Sequence, residues 1–394
     1  MFGELMPFTG DQASEGAQVT NGCLPAVAVI NKAGGVLGNQ VTCQEFDTRG
    51  DAVDAVPAAE KMLATTNNLV GVLGPSTAEA PSTEPLLRQA NMPMFSVAGD
   101  AQFDKSTDPY FYRFTPSDDL AAKALALEAK DLGFTRIAIV FTAGDSAQAN
   151  VPPLEAVAPE LHLTVTDSLS ITPNQASYRT EVAKLIAGNP QVIINEGDAQ
   201  SDATFFGELK EAGANIPMVI TAIATFSDWQ KAVSTAMGTG TLARLMTVVD
   251  PYAPTEGEGW QVFNDTLKSL HGSGVDYNQF NADIYSRTTY DACIAMALAM
   301  TAANSTDPKT YNPEIVKILT PGAGKTTVHT YQEGLDALKA GKSIYLSGAG
   351  GDLGLNKYHN VTGAFETQHW DPGTATLVHF GVIPNKELEQ LALG

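Results

Sequence analysis

Residues 69–100, LVGVLGPSTAEAPSTEPLLRQANMPMFSVAGD, decide how the rest of the chain is read. The apolar run 69–73 reads as a buried parallel strand, Gly74-Pro75 ends it, and Ser76-Thr77 stands where a following helix begins. A second short strand follows at 94–97. Both strands end at one edge of a sheet, and a strand end facing a helix N-terminus is where open α/β sheets take ligands. This edge is expected to form half of a ligand cleft.

Outward from it the same rhythm runs both ways. Residues 2–8 read as a strand and 9–16 as a polar loop. An amphipathic helix at 17–32 stops at Ala33-Gly34-Gly35, a strand follows at 41–46 and a helix at 52–66. After a turn-rich segment at 103–116, strands are expected at 136–141, 163–169, 191–195 and 218–221. Helices are expected at 119–132, 147–160, 178–187 and 202–212. Alternation with connections this short predicts parallel sheets covered by helices on both faces. Extended crossings at 114–118 and 245–254 divide the chain into two successive α/β units. Later come a helix at 257–270 and a long apolar helix at 282–303 that carries Tyr285. Gly-rich turns at 348–354 precede period-two strands at 363–370 and 376–380.

With 394 residues the chain is long enough for two cores. Charged residues make up only 17% of it, yet the formal charge is -21, which argues against nucleic acid or an anionic membrane surface as partner. Cys23, Cys43 and Cys293 include no CxxC pair, so neither a metal nor a cofactor is expected. Cys23 and Cys43 either form a disulfide, which suits an oxidising compartment, or remain two buried thiols. No apolar run approaches the ~20 residues that span a bilayer. A basic-then-apolar leader is also missing, and the abrupt opening in a strand is what a chain with its export signal removed would show.

Six segments, taken in order, resemble a known family: ELMPFTGD at 4–11, INKAGGVLGNQV at 30–41, GVLGPST at 71–77, NMPMFS at 91–96, RIAIVF at 136–141 and TYDACIAMALAM at 289–300. The chain resembles the type I periplasmic binding proteins, in particular the leucine/isoleucine/valine-binding branch that serves ABC importers. The resemblance implies an α/β fold of two Rossmann-like lobes with parallel sheets, joined by a three-strand hinge. Residues 1–117 and 251–335 would form the N-terminal lobe, and 118–250 and 336–394 the C-terminal lobe. It further implies a monomer without catalytic residues that traps a small solute by lobe closure and delivers it to a membrane permease. Such a protein would be periplasmic or extracellular, free or lipid-anchored.

The resemblance also assigns positions. Thr77, flanked by Ser76 and Ala78, matches the residue whose hydroxyl and neighbouring amides hold a ligand carboxylate at a helix N-terminus. Ala98 matches the position offering a backbone carbonyl to a ligand ammonium, and Asp100 replaces a small hydroxyl residue. Glu15 falls on an aromatic at the end of the first loop, and Tyr285 on an aromatic lining the side-chain pocket. In the second lobe Ser146 stands for a Tyr, Asp198 for a Tyr or Asp, and Ala222 for the acid that binds the ammonium. With alanine at that last position, a bound ammonium must be neutralised by Asp198, Asp100, Glu15 or Glu196, because an unpaired buried charge costs several kcal/mol. The expected ligand is a small polar solute, an amino acid or a related amine or amide, held by carboxylates.

Other readings of the same residues stand beside these. Ser76 and Thr77 also read as an ordinary N-cap, Asp100 and Asp198 as loop acids, and Tyr285 as a core aromatic. Gly322-Ala323-Gly324-Lys325-Thr326-Thr327 looks like a phosphate loop, but the required first glycine is Leu319. Gly144-Asp145-Ser146 resembles an esterase turn without a recognisable His–carboxylate partner. A ligand-sensing receptor ectodomain would share the two-lobed architecture.

Overall fold

The computed structural model describes residues 1–10 and 12–391. The chain forms two compact units, Met1–Pro116 with Ala253–Thr362 and Ser117–Tyr252 with Gly363–Gly394. In the first unit β1 (Phe2–Met6), β2 (Cys43–Asp47), β3 (Gly71–Leu73), β4 (Met94–Ser96) and β5 (Phe111–Arg113) form a parallel sheet in the order β2-β1-β3-β4-β5. Strands buried on both faces need apolar residues at consecutive positions rather than in alternation. Phe2, Met6, Leu73 and Phe95 accordingly join one core, and Leu5, Val72, Met94 and Phe111 join another.

Helix α1 (Ala13–Lys32) and helix Ile284–Ala303 supply the first of these cores, and α2 (Ala52–Thr65) and α3 (Ala80–Gln89) the second. α1 and helix Ile284–Ala303 approach closely because Gly22 has no side chain. A Cβ there would lie 2.4 Å from the Ser286 carbonyl oxygen. A disulfide joins Cys23 on α1 to Cys43 on β2, with a Cα–Cα distance of 6.3 Å, while Cys293 is a buried free thiol.

In the second unit β6 (Arg136–Thr142), β7 (Thr164–Ile171), β8 (Val192–Glu196), β9 (Met218–Ile220) and β10 (Met246–Tyr252) are parallel. The chain then returns to the first unit, where β11 (Thr326–Val328) and β12 (Ile344–Leu346) make a small parallel pair. Finally β13 (Ala364–Asp371) and β14 (Thr376–Ile383) add an antiparallel edge, giving the order β14-β13-β10-β9-β8-β6-β7. Among the described residues no helix is long and apolar enough to cross a membrane.

Several boundaries differ from expectation. Residues 336–362, expected in the C-terminal lobe, belong to the first unit. Leu346, Leu353, Leu355 and Val361 enter its core, and buried Asp291 accepts the Ala349 and Gly350 amides at 2.8 and 2.6 Å. α1 begins at Ala13, so Glu15 lies in its first turn rather than at the end of a loop. The helix expected at 147–160 is two short ones, Asp145–Ala149 and Val151–Val157, broken where Pro152-Pro153 withholds two backbone donors. Helices Ser227–Met237, Thr239–Leu245, Pro308–Leu319 and Tyr331–Lys339 had no expected counterpart.

Candidate ligand-binding site

In the first unit Glu15, Ser76 and Ala98 follow β1, β3 and β4, which are neighbours in the sheet. These residues therefore lie along one carboxyl edge, the place where parallel sheets present ligands to helix N-termini. Gly74 makes the corner: its φ is +102°, and a Cβ there would sit 2.3 Å from the Leu5 carbonyl oxygen. The strand end is locked laterally as well. Ser96 Oγ donates to the Pro75 carbonyl at 2.7 Å and accepts the Ala98 amide at 3.0 Å.

The residues after Gly74 hold a carboxylate of the protein's own. Glu79 is fully buried and accepts the Ser76 amide at 3.0 Å, the Thr48 hydroxyl at 2.5 Å and the Ser76 hydroxyl. Glu79 is the N-cap residue of α3, and its carboxylate folds back onto Ser76 in the turn that leads into the helix. Glu15 is half-buried, and burial first and the Glu79 charge second push its carboxyl up to about 8. Burial likewise raises Glu79.

Thr77 Oγ1 accepts the Gly99 amide at 3.1 Å, which leaves its proton to donate, and Ala78 is buried beside it. Ala98 is fully buried. Asp100 is turned to local structure: it accepts the Gln102 amide at 2.8 Å and the Gln102 side chain at 3.0 Å. Buried Arg113 donates to the Asp100 carbonyl at 3.3 Å and pairs with Asp104 at 2.6 Å, fixing this loop from beneath. Tyr285 is half-buried in the first turn of helix Ile284–Ala303. Gln18 donates to the cap of that turn, Asp283, at 2.8 Å, so Tyr285 sits at the same end of α1 as Glu15.

The second unit repeats the placement. Ser146, Asp198 and Ala222 follow β6, β8 and β9, again neighbouring strands. Asp198 is the N-cap of helix Ala199–Glu211, accepting the Gln200 and Ser201 amides at 3.1 and 2.9 Å. Ala222 opens a short turn and accepts the Thr225 hydroxyl through its carbonyl at 2.7 Å. Half-buried Glu196 ends β8, 3.4 Å from the Asn150 amide nitrogen that donates to it. Beneath this edge lies fully buried Asp202, which accepts from Trp229 at 2.8 Å and Asn195 at 3.1 Å; burial pushes it up to about 7.

Sequence reading missed Thr48, Glu79, Ser96 and Asp202. Glu79 was open to discovery through the Ser-x-x-Glu spacing; nothing local distinguishes Thr48, which reaches Glu79 from 31 residues away.

The two lookalike motifs resolve differently. Lys325 donates to the carbonyls of Lys317 and Thr320, at the end of helix Pro308–Leu319, so the glycine-rich loop caps a helix. A His–carboxylate pair does exist in the second unit, contrary to expectation: His379 Nδ1 lies 2.6 Å from Glu366 Oε2 on the β13–β14 hairpin. Ser146 follows β6, four strand spacings from β13, or about 19 Å, too far for proton transfer.

Comparison with known proteins agrees with this architecture. The Leu/Ile/Val-binding protein BraC3 of Rhizobium johnstonii is 26% identical over 223 residues, covering 55% of this chain and 59% of the relative. A Leu/Ile/Val-binding protein homolog of Brucella melitensis is 24% identical over 212 residues, covering 54% and 58%. The matches thus span less than two thirds of those relatives. Among solved structures, the leucine-binding protein LivK of Thermotoga maritima superposes with a TM-score of 0.77 at 16% identity, over 98% of this chain and 99% of that one. LivJ of Streptococcus pneumoniae, solved with isoleucine, gives 0.77 at 13% identity over 97% and 99%. A Rhodopseudomonas palustris binding protein solved with benzoate gives 0.76 at 14%, over 97% and 96%. At such identities the structural likeness establishes the fold. The periplasmic binding protein family model matches residues 2–354, and the chain belongs to that family.

Proposed function

We propose that this protein is an extracytoplasmic solute-binding protein that captures a small polar solute and delivers it to the membrane permease of an ABC importer. The solute is an amino acid or a related amine or amide, taken at the carboxyl edges carrying Thr77, Ser76, Ala78, Ala98, Glu15 and Tyr285 in one unit and Ser146, Asp198 and Ala222 in the other. Closure of the two lobes would enclose it, and the protein would act as a monomer, free or lipid-anchored.

The observation that carries this reading is that, within each unit, the candidate positions follow neighbouring parallel strands and converge on one edge. Membership of the family supports the same assignment, as do relatives whose names record Leu/Ile/Val binding. Asp100 contributes its backbone turn more than its carboxylate, since both carboxylate oxygens are occupied locally.

Native mass spectrometry of the purified protein, followed by gentle denaturation, tests the reading by releasing a retained solute of defined mass. Calorimetric titration with amino acids, amines and amides then identifies its class. Binding restricted to apolar or aromatic monoacids would sink the proposed ligand class.

A further inference from the structure

A second cluster lies where α1 meets the start of β2, at the opposite end of that strand from Asp47. Glu4 on β1, Cys23 on α1 and Cys43 on β2 bring one carboxylate oxygen and both sulfurs within 4.8 Å of one another. Glu4 alternates along β1 with Phe2 and Met6, so its side chain enters the core that they join, where it is only 2% exposed. Its Oε1 has no hydrogen-bond partner among the described residues. A buried carboxyl oxygen left without a donor is costly, and neither sulfur of a disulfide has a proton to give it. A Cys23 thiol has one. The surroundings of this oxygen are therefore chemically complete only when the disulfide is open.

The two sulfurs also differ in access. Cys43 opens β2, an edge strand of the sheet, and is half-buried between exposed Thr42 and Gln44, whereas Cys23 is fully buried. An incoming thiolate therefore reaches Cys43 and expels Cys23. A thiolate expelled into an apolar core is a poor leaving group, because burial raises its proton affinity. A carboxylic acid beside it removes that obstacle by protonating the sulfur as it leaves.

We infer that Cys23–Cys43 is a thiol–disulfide exchange site for a dithiol partner, with Cys43 as the attacked sulfur and Glu4 as the proton donor to Cys23. One thiolate of the dithiol bonds to Cys43 Sγ, the Sγ–Sγ bond breaks, and its electron pair leaves with Cys23, which takes the Glu4 proton. The second thiolate of the dithiol then attacks the partner's own sulfur in the mixed disulfide and expels Cys43. Cys43 and Glu4 take up from solvent the two protons that the dithiol released. The dithiol is oxidised by two electrons and the protein disulfide reduced by two.

Burial first and the Glu45 charge second push the Glu4 carboxyl up to about 8, so it carries its proton at neutral pH. Glu45 is its register partner on β2 and lies exposed at the surface, while the partner on β3 is apolar Leu73. On α1 no charged residue stands between Glu15 and Lys32. Helix Ile284–Ala303 brings the Cys293 thiol to the same core, where burial keeps it protonated. Its charged residues Arg287 and Asp291 are bonded to the backbone of residues 253, 254, 349 and 350.

Reduction of the intact oxidised protein by dithiothreitol in native buffer, with thiols counted after an acid quench, tests this. The rate should rise in proportion to dithiothreitol. Expressed per reductant thiolate, it should be constant below about pH 7 and fall roughly tenfold per unit above about pH 8, as Glu4 loses its proton. Glu4→Gln should lower it by about tenfold or more at pH 7 and remove the fall. Glu45→Gln, a surface change that deletes the charge beside Glu4, should move the fall to lower pH, and it decides the matter if Glu4→Gln does not fold. Glutathione, a monothiol, should be trapped as a mixed disulfide on Cys43. A rate that levels off with rising dithiothreitol at the rate of global unfolding would overturn the inference, since a purely structural disulfide opens only that way. So would a pH profile unchanged by both substitutions, or glutathione found on Cys23.

Discussion

Arg287 donates to the Ala253 carbonyl at 3.0 Å, holding the first unit's chain where it re-enters after β10. The same guanidinium reaches the Pro254 carbonyl at 2.5 Å and the Ala349 carbonyl at 2.8 Å, while nearby Asp291 binds the amides of Ala349 and Gly350. One buried cation and one buried acid on a single helix thus fasten both later segments of a discontinuous unit.

Arg287→Ala would leave three carbonyls without a donor and Asp291 without its nearby positive charge. A buried charge network broken on one side typically costs about 3–5 kcal/mol. Urea denaturation should show a lower midpoint, and Arg287→Lys should recover only part of it, because an ammonium cannot span three divergent acceptors as a guanidinium does.

Asp202 makes stability pH-dependent. Its carboxyl holds a proton to about pH 7 in the folded protein, whereas an unfolded aspartate ionises near about pH 4. The stability this proton contributes is full below about pH 4, falls by about 1.4 kcal/mol per unit as pH rises towards 7, and is constant above that. Asp202→Asn should therefore gain on the wild type between pH 5 and 7. Chemical denaturation at several pH values reads the difference, and a pH-independent offset would exclude the buried proton.

The Cys23–Cys43 disulfide closes a separation of 20 residues, for which chain entropy predicts about 3 kcal/mol of stabilisation. Cys43→Ser should lower the denaturation midpoint accordingly. Thiol titration should find no reactive group in the native protein, one after denaturation and three after reduction, because Cys293 is buried and its acidity suppressed.

Gly74→Ala places a methyl group against the Leu5 carbonyl at a backbone angle that L-residues rarely adopt. Destabilisation of roughly 2–4 kcal/mol is expected. Solute affinity should fall further than stability alone explains, since the same corner aims Ser76 and Thr77. Calorimetry on the folded fraction separates the two effects.

The parallel strands were legible because apolar runs such as 136–141 and 191–195 are bounded by glycine, proline or polar residues, and burial on both faces enforces that pattern. Helices Pro308–Leu319 and Tyr331–Lys339 were not, since short amphipathic helices lie between turns that resemble loops. The two-unit architecture and the edge carrying Thr77, Ala98 and Glu15 could be anticipated. Glu79 was open to discovery from its spacing to Ser76, but its partner Thr48, 31 residues away, was not. Residues 336–362 were misplaced because only long-range partners, Asp291 and Arg113 among them, reveal where a glycine-rich strap belongs.

Because the first unit is built from Met1–Pro116 and Ala253–Thr362, its core stays incomplete while the whole second stretch is synthesised. Until helix Ile284–Ala303 emerges, the core that Phe2, Leu73 and Phe95 join lacks the buried apolar run at 292–300. At ribosomal speeds of about 5–20 residues per second, that interval lasts on the order of 10–40 s. The nascent first lobe is therefore a prolonged hydrophobic client, a condition that favours chaperone capture and passage across a membrane before folding.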